Sequence, residues 1–130
     1  MIPSPPRITK LEPNEIFCYG ANTIGRHGAG AAKQALQFGA KMGADGLVGQ
    51  TYGICTKDHN IKTLPLDKIR EYVNEFLYEA QIRPDMVFLV TEIGCGLAGY
   101  EPRDIAPMFR GASSNVRLPQ RFIEVLSCPD

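Results

Sequence analysis

Hydrophobic positions along this chain fall into two alternating patterns, short unbroken apolar runs and longer stretches at helical spacing. Ile16 to Tyr19 is an unbroken run ending at Gly20, which predicts a buried strand emptying into a glycine-rich loop. Ala29 to Phe38 is dense in alanine with Lys33 and Gln34 interposed, and predicts a helix packed close against a sheet. Gly39 to Gly49 holds four glycines and is expected to be loop. Gln50 to Cys55 predicts a strand, followed by a polar stretch from Thr56 to Asn60. Leu66, Ile69, Val73, Phe76, Leu77 and Ala80 then recur at helical spacing, with Pro65 just before and Asp67 in the first turn. Met86 to Val90 is apolar on both faces after the Arg83-Pro84-Asp85 turn, the mark of a central strand covered from two sides. Pro102 to Phe109 predicts a third helix, with Pro102 suited to its first position and Pro107 forcing a kink or a one-turn restart. Asn115 to Leu118 predicts an edge strand, and Phe122 to Leu126 fits either helix or strand.

Strands alternating with helices imply an α/β fold, a single three-layer α/β/α domain around a mixed, mainly parallel sheet. The chain has 130 residues, 44% apolar and 22% charged, which suits one domain over 1–130 with a core at about 14–118 and an extended segment at 1–13. A chain of this size buries roughly two thirds of its unfolded surface, so no disulfide or structural metal is needed to hold it together. Fourteen basic and fourteen acidic residues balance, which removes the excess positive charge of a non-specific nucleic-acid binder. No apolar run approaches the ~20 residues that span a bilayer, and Ile2 to Pro6 lacks an apolar signal core. A cytoplasmic monomer without membrane contact is expected. Cys18, Cys55, Cys95 and Cys128 form no Cys-x-x-Cys pair, and His27 and His59 stand in no ligand spacing with them. Reduced thiols, no metal and no cofactor follow as expectations.

Two glycine-rich loops carry the chemistry. Gly20-Ala-Asn-Thr-Ile-Gly-Arg-His-Gly-Ala-Gly30 leads from a strand into a helix, and Gly94-Cys-Gly-Leu-Ala-Gly99 leads from another strand toward another helix. In parallel sheets ligands settle outside the carboxyl ends of the strands, where both loops are expected. Glycines let backbone approach an anion closely, and unpaired N–H groups at a helix start attract it, so two such loops facing one crevice can clasp a diphosphate. The first loop lacks the dinucleotide-fold spacing, and no Gly-Lys-Ser/Thr is present, which excludes the phosphate loop of nucleoside triphosphatases.

Gly20-Ala-Asn22 with Arg26-His-Gly-Ala-Gly-Ala-Ala32 resembles the first ligand loop of the macro domain, the module that binds ADP-ribose. Ile93-Gly-Cys-Gly-Leu-Ala-Gly-Tyr100, running into Glu101-Pro102 and Ile105-Ala106, resembles its second, phosphate-cradling loop. Together with Cys55-Thr56-Lys57, these motifs look most like the terminal ADP-ribose glycohydrolase branch and like macro-like proteins of phage and prophage origin. The resemblance covers roughly Ile16 to Phe109. It implies a macro-like fold and a ligand that is ADP-ribose or a related NAD-derived nucleotide, either free or carried on a modified protein or nucleic acid. It also implies ligand contacts at Gly20, Asn22, Gly25, His27, Gly28, Ala29 and Gly30, and at Gly94, Cys95, Gly96, Leu97, Ala98, Gly99 and Tyr100. In the glycohydrolase branch a lysine attacks the anomeric carbon and an aspartate after the second motif moves protons. Those positions fall on Lys57 and on Ala98, which exchanges no proton.

Individual residues carry more than one reading. Lys57 is a nucleophile, a phosphate clamp or a solvated loop lysine. Asp58 is a substitute acid beside it, subject to where the two side chains point. His27 is a diphosphate contact or acid/base, or a cap for the following helix. Asn22 serves a ribose hydroxyl or its own turn. Tyr100 and Phe109 are flat enough to stack on a nucleotide, with core packing favoured for Phe109. Arg26 and Arg103 are phosphate partners or solvated, and Asp45 is a solvated turn residue. The remaining alternatives are a phage or prophage protein that binds or degrades another nucleotide signal, and a catalytically inactive binding module.

Overall fold

Strand β1 (Glu15–Asn22) is buried on both faces, because Ile16 and Cys18 point to one side and Phe17, Tyr19 and Ala21 to the other. In the computed structural model, which describes residues 2–44 and 46–127, β1 is accordingly the middle strand of five. Strand β2 (Gly46–Val48) pairs antiparallel with β3 (Thr51–Lys57), and β3, β1, β4 (Val87–Val90) and β5 (Val116–Arg117) run parallel, in the order β2-β3-β1-β4-β5. This is the mixed, mainly parallel sheet that the alternation of elements implies.

Helices cover both faces. Helix α2 (Leu66–Gln81) lays Ile69, Val73, Phe76 and Ala80 on one face, together with α3 (Pro102–Ile105) and α4 (Gln120–Ser127). Phe76 is the hub of that layer, its ring edge-on to Tyr52, Phe88 and Phe109 at 5.1, 5.5 and 6.1 Å. The opposite face carries α1 (Gly30–Ala35) and the amino-terminal segment, with Ala35 and Ile8 against Phe17, Tyr19 and Leu89.

Several boundaries differ from those read in the pattern. The first strand continues through Gly20 to Asn22 rather than ending at Tyr19. Gly20 belongs to the sheet through its pairing with Ile54 of the neighbouring strand, and a Cβ there would lie 3.2 Å from the Thr56 hydroxyl and 3.8 Å from the Gly94 nitrogen. The expected loop at 39–49 contains β2, closed onto β3 by a two-residue connection in which Gly49 takes φ 57°. The alanine-rich helix is shorter than Ala29 to Phe38. It gives way to a 3-10 turn at Leu36–Phe38 and stops at Gly39, whose φ of 106° suits only glycine. The third helix restarts as a 3-10 turn at Ala106–Phe109, as Pro107 requires, and residues 122–126 are helical. The core exceeds 14–118. Phe122 is fully buried, Ile8 nearly so, and Ser4 donates from its amide to Leu118 O and from its hydroxyl to Val90 O, both at 2.8 Å. Within the amino-terminal segment, Ser4 and Ile8 are therefore packed against the sheet, beside which Pro3 bridges Leu118.

Candidate functional site

Because β1 and β4 are parallel neighbours, the loops that follow them emerge at the same edge of the sheet. They face one cleft of about 540 Å³. Gly20, Asn22, Gly28, Ala29 and Gly30 line it from the first side, and Gly94, Gly96, Leu97 and Ala98 from the second. Lys57, the last residue of β3, completes the wall. A register slip between Ala21 and Asn22 sets Asn22 directly beside Lys57 at the strand ends.

The cleft is built to receive negative charge. Among the described residues, the backbone amides of Gly28, Ala29, Gly96, Leu97 and Ala98 donate to no acceptor within the protein. Arg26 and Lys57 also line the cleft and join no ion pair among the described residues. Its carboxylate, Glu92, is already matched by Arg121 at 3.1 Å. Consecutive N–H groups and two cations with no partner among the described residues are the donors that an oxyanion requires. Helix α1, only six residues long, adds little dipole to it, so the donors are those of the loops.

The glycines divide by what surrounds them. A Cβ at Gly25 would sit 2.5 Å from Gly43 backbone, at φ 72°, so Gly25 serves the close crossing of two loops and does not line the cleft. At Gly94, with φ 75°, a Cβ would stand 3.0 Å from Ile105 Cδ1, so glycine there is likewise required by packing and backbone conformation. At Gly28 and Gly96 an added Cβ would meet nothing within 4 Å and the backbone is not left-handed, so neither packing nor conformation requires glycine there.

Other expected site residues turn elsewhere. His27 is buried, its Nδ1 donating to Gly25 O at 2.8 Å and its Nε2 facing the Tyr19 hydroxyl at 2.9 Å. A carbonyl only accepts, so Nδ1 carries the proton, and both nitrogens are engaged away from the cleft. Asn22 accepts the Arg26 N–H through Oδ1 and donates to Arg26 O through Nδ2, both at 2.9 Å. Its amide thus folds the loop first, leaving one Nδ2 hydrogen and one Oδ1 lone pair for a further partner. Tyr100 gives its hydroxyl to Leu64 O at 2.8 Å, and Phe109 is fully buried, so neither stacks on a ligand in the cleft. Cys95 packs beneath the second loop, where burial foremost, and Glu92 next, push its thiol up to about 11. Gly99 lies outside the cleft lining and forms the turn onto Gly96 O. Arg103 pairs with Glu101 at 2.8 Å on the exposed surface. Asp45 and Cys128 lie outside the described residues.

Asp58 does not take the place of the missing acid. Its Oδ1 accepts the amides of Asn60 and Lys62 at 2.8 and 3.0 Å and does not line the cleft. The Lys62 amide foremost, then that of Asn60, hold its carboxyl below the ordinary value of 3.8. A carboxyl ionised so readily is no proton donor near neutrality. A lowered folded-state value means that its contribution to stability is present above 3.8 and is lost as the pH falls through the lower folded value. The melting temperatures of wild type and Asp58→Asn should therefore differ most near neutral pH and converge in acid, which a pH series of thermal melts measures.

Eight lining residues were given no ligand role by the sequence, namely Ala21, Ala31, Ala32, Thr56, Ile61, Thr91, Glu92 and Ile93. The Thr56 hydroxyl faces Ala21 O at 3.5 Å, and that of Thr91 donates to Cys18 O at 2.7 Å. Pattern reading also missed an adjoining groove of about 920 Å³, which shares Thr91 and Glu92 with the cleft and runs under Ser4 to Thr9 toward Arg121. Only a fold that returns residues 4–9 to the end of β4 could reveal it. Among the described residues, no group of three or more His, Cys, Asp or Glu side chains could hold a metal, and no helix is long and apolar enough to cross a membrane. In comparisons with known proteins the chain matches no family model, no curated protein and no solved structure.

Proposed function

We propose that the cleft binds ADP-ribose or a related NAD-derived nucleotide, with the diphosphate over the amides of Gly96 to Ala98 and the distal ribose toward Asn22 and Lys57. One observation carries this reading. Two glycine loops from neighbouring parallel strands converge on a single cleft in which, among the described residues, the amides of Gly28, Ala29 and Gly96 to Ala98 have no acceptor and Arg26 and Lys57 join no ion pair. The likeness of both loops to those of the macro domain specifies which diphosphate. A ligand longer than the cleft has the adjoining groove to extend into, past Thr91 and Glu92.

Lys57, on the cleft wall, favours a second, chemical reading in which ADP-ribose is removed from a modified protein or nucleic acid. Within that reading no carboxylate stands at position 98, and the geometry disfavours Asp58 and His27 as substitutes. Slow turnover or none is expected of the natural chain, and binding is its principal activity.

A thermal-shift screen across ADP-ribose, NAD, cyclic ADP-ribose isomers and mononucleotides tests the proposal. A ligand that binds only the folded state stabilises it by about 2.7 kcal/mol at a hundredfold excess over Kd. For a chain of this size that raises Tm by several degrees. ADP-ribose is expected to give the largest shift. A larger shift from another nucleotide would reassign the ligand, and no shift from any of them would sink the proposal.

A further inference from the structure

Ile61 is the one described non-glycine residue with a left-handed backbone, at φ 60°. A branched Cβ crowds the backbone there, and glycine or asparagine would adopt the conformation more freely. The turn around it is firmly closed. Asp58 Oδ1 holds the Asn60 and Lys62 amides, the Asp58 amide donates to Lys62 O at 2.8 Å, the Ile61 amide donates to Asp58 O at 3.0 Å, and Lys57 bridges Thr63. Thr63 Oγ1 ties the turn to the second glycine loop by donating to Ala98 O at 2.8 Å. The side chain so held joins neither apolar cluster of the core, remains 37% exposed and lines the cleft. Core packing does not account for an isoleucine at this position, and its side chain faces the ligand's space. Strain kept by surrounding bonds is characteristic of residues with a role at a site.

We propose that Ile61 is a specificity-determining wall of the cleft, an aliphatic surface held against the sugar that lies beyond the diphosphate. It favours an uncharged ribosyl end over an end that carries a further charged group, since burying such a group against a methyl surface carries a desolvation cost. This inference rests on the nucleotide reading above and adds the part of the ligand that is discriminated.

Calorimetry with ADP-ribose and with ADP, which lacks the distal sugar, tests it on wild type, Ile61→Val, Ile61→Asn and Ile61→Gly. The asparagine and glycine variants are expected to bind ADP-ribose roughly tenfold more weakly, the loss of a partly buried aliphatic contact, and to bind ADP as wild type does. Ile61→Val should retain wild-type affinity for both, and Ile61→Asn should melt at or above the wild-type temperature as strain is relieved. Unchanged ADP-ribose affinity in both the asparagine and glycine variants, or an equal loss for ADP, would overturn the role of Ile61 while leaving the nucleotide reading intact. Wild type that binds neither ligand would overturn that reading and this one with it.

Discussion

Replacing Gly96 or Gly28 by glutamate is expected to weaken ADP-ribose binding by about a hundredfold or more while leaving the fold intact. Both positions open onto free space, with nothing within 4 Å of where a Cβ would stand and no left-handed backbone, so the new side chain has room. Its carboxylate would enter the cleft beside the amides proposed to hold the diphosphate. Like charges brought together at a binding surface cost several kcal/mol, and about 3 kcal/mol corresponds to roughly two orders of magnitude in Kd. Calorimetry on each variant, with Tm measured in parallel, checks both halves of the expectation. Wild-type affinity in both variants would remove the ligand from this cleft. Gly25→Ala is the instructive contrast. There a Cβ would meet Gly43 backbone at 2.5 Å with φ at 72°, so the loss should be of folding, ~3 kcal/mol or more.

Ala98→Asp is expected to create or greatly raise ADP-ribosyl hydrolase activity. Ala98 lines the cleft across from the strand ends, and its carbonyl is fixed by the Thr63 hydroxyl, so a carboxylate grafted there enters an ordered site. Proton transfer by a positioned acid or base is worth ~10²–10⁴-fold in rate. In the mechanism implied by the resemblance, the Lys57 amine attacks the anomeric carbon as the bond to the leaving group breaks. The new acid protonates that group, and water later releases the sugar from the lysine. The gain should vanish in the Lys57→Ala, Ala98→Asp double variant, as should any adduct trapped by borohydride. An Ala98→Asp chain that binds ADP-ribose normally yet neither turns over nor forms an adduct would show that Lys57 clamps phosphate rather than attacks carbon. Fast turnover by the natural chain that survives Lys57→Ala would discard the lysine route altogether.

Local pattern was enough for the four parallel strands and most of the helices, because a strand buried on both faces and a helix buried on one leave different spacings. Met86 to Val90 could be read as interior from its own five residues, and β4 lies between β1 and β5. Glycine-rich segments were legible as loops that share one cleft for a related reason, since parallel order alone brings both to one edge. Glycine is also where the pattern stopped discriminating. Nothing in the letters separates Gly25, which lets two backbones cross, from Gly28, which fronts open space, because the difference lies in atoms from residue 43. The short β2 strand was hidden for the same cause, its glycines marking turns while its pairing depends on β3.

The order of the elements, the parallel core and the two glycine loops at one edge all follow from periodicity and residue type within short windows, and so could be read from the letters. Which polar side chains are left for a ligand could not, since that depends on neighbours distant in the chain. His27, Asn22, Asp58 and Tyr100 all have the chemistry of site residues, and each spends hydrogen-bonding atoms on a backbone group or on a buried hydroxyl. Ile61, Glu92 and the groove under residues 4–9 gave no signal, because their places in the cleft arise from contacts across the fold. A side chain's chemistry is set by its letter, but its availability is set by the partners that folding brings within hydrogen-bonding distance.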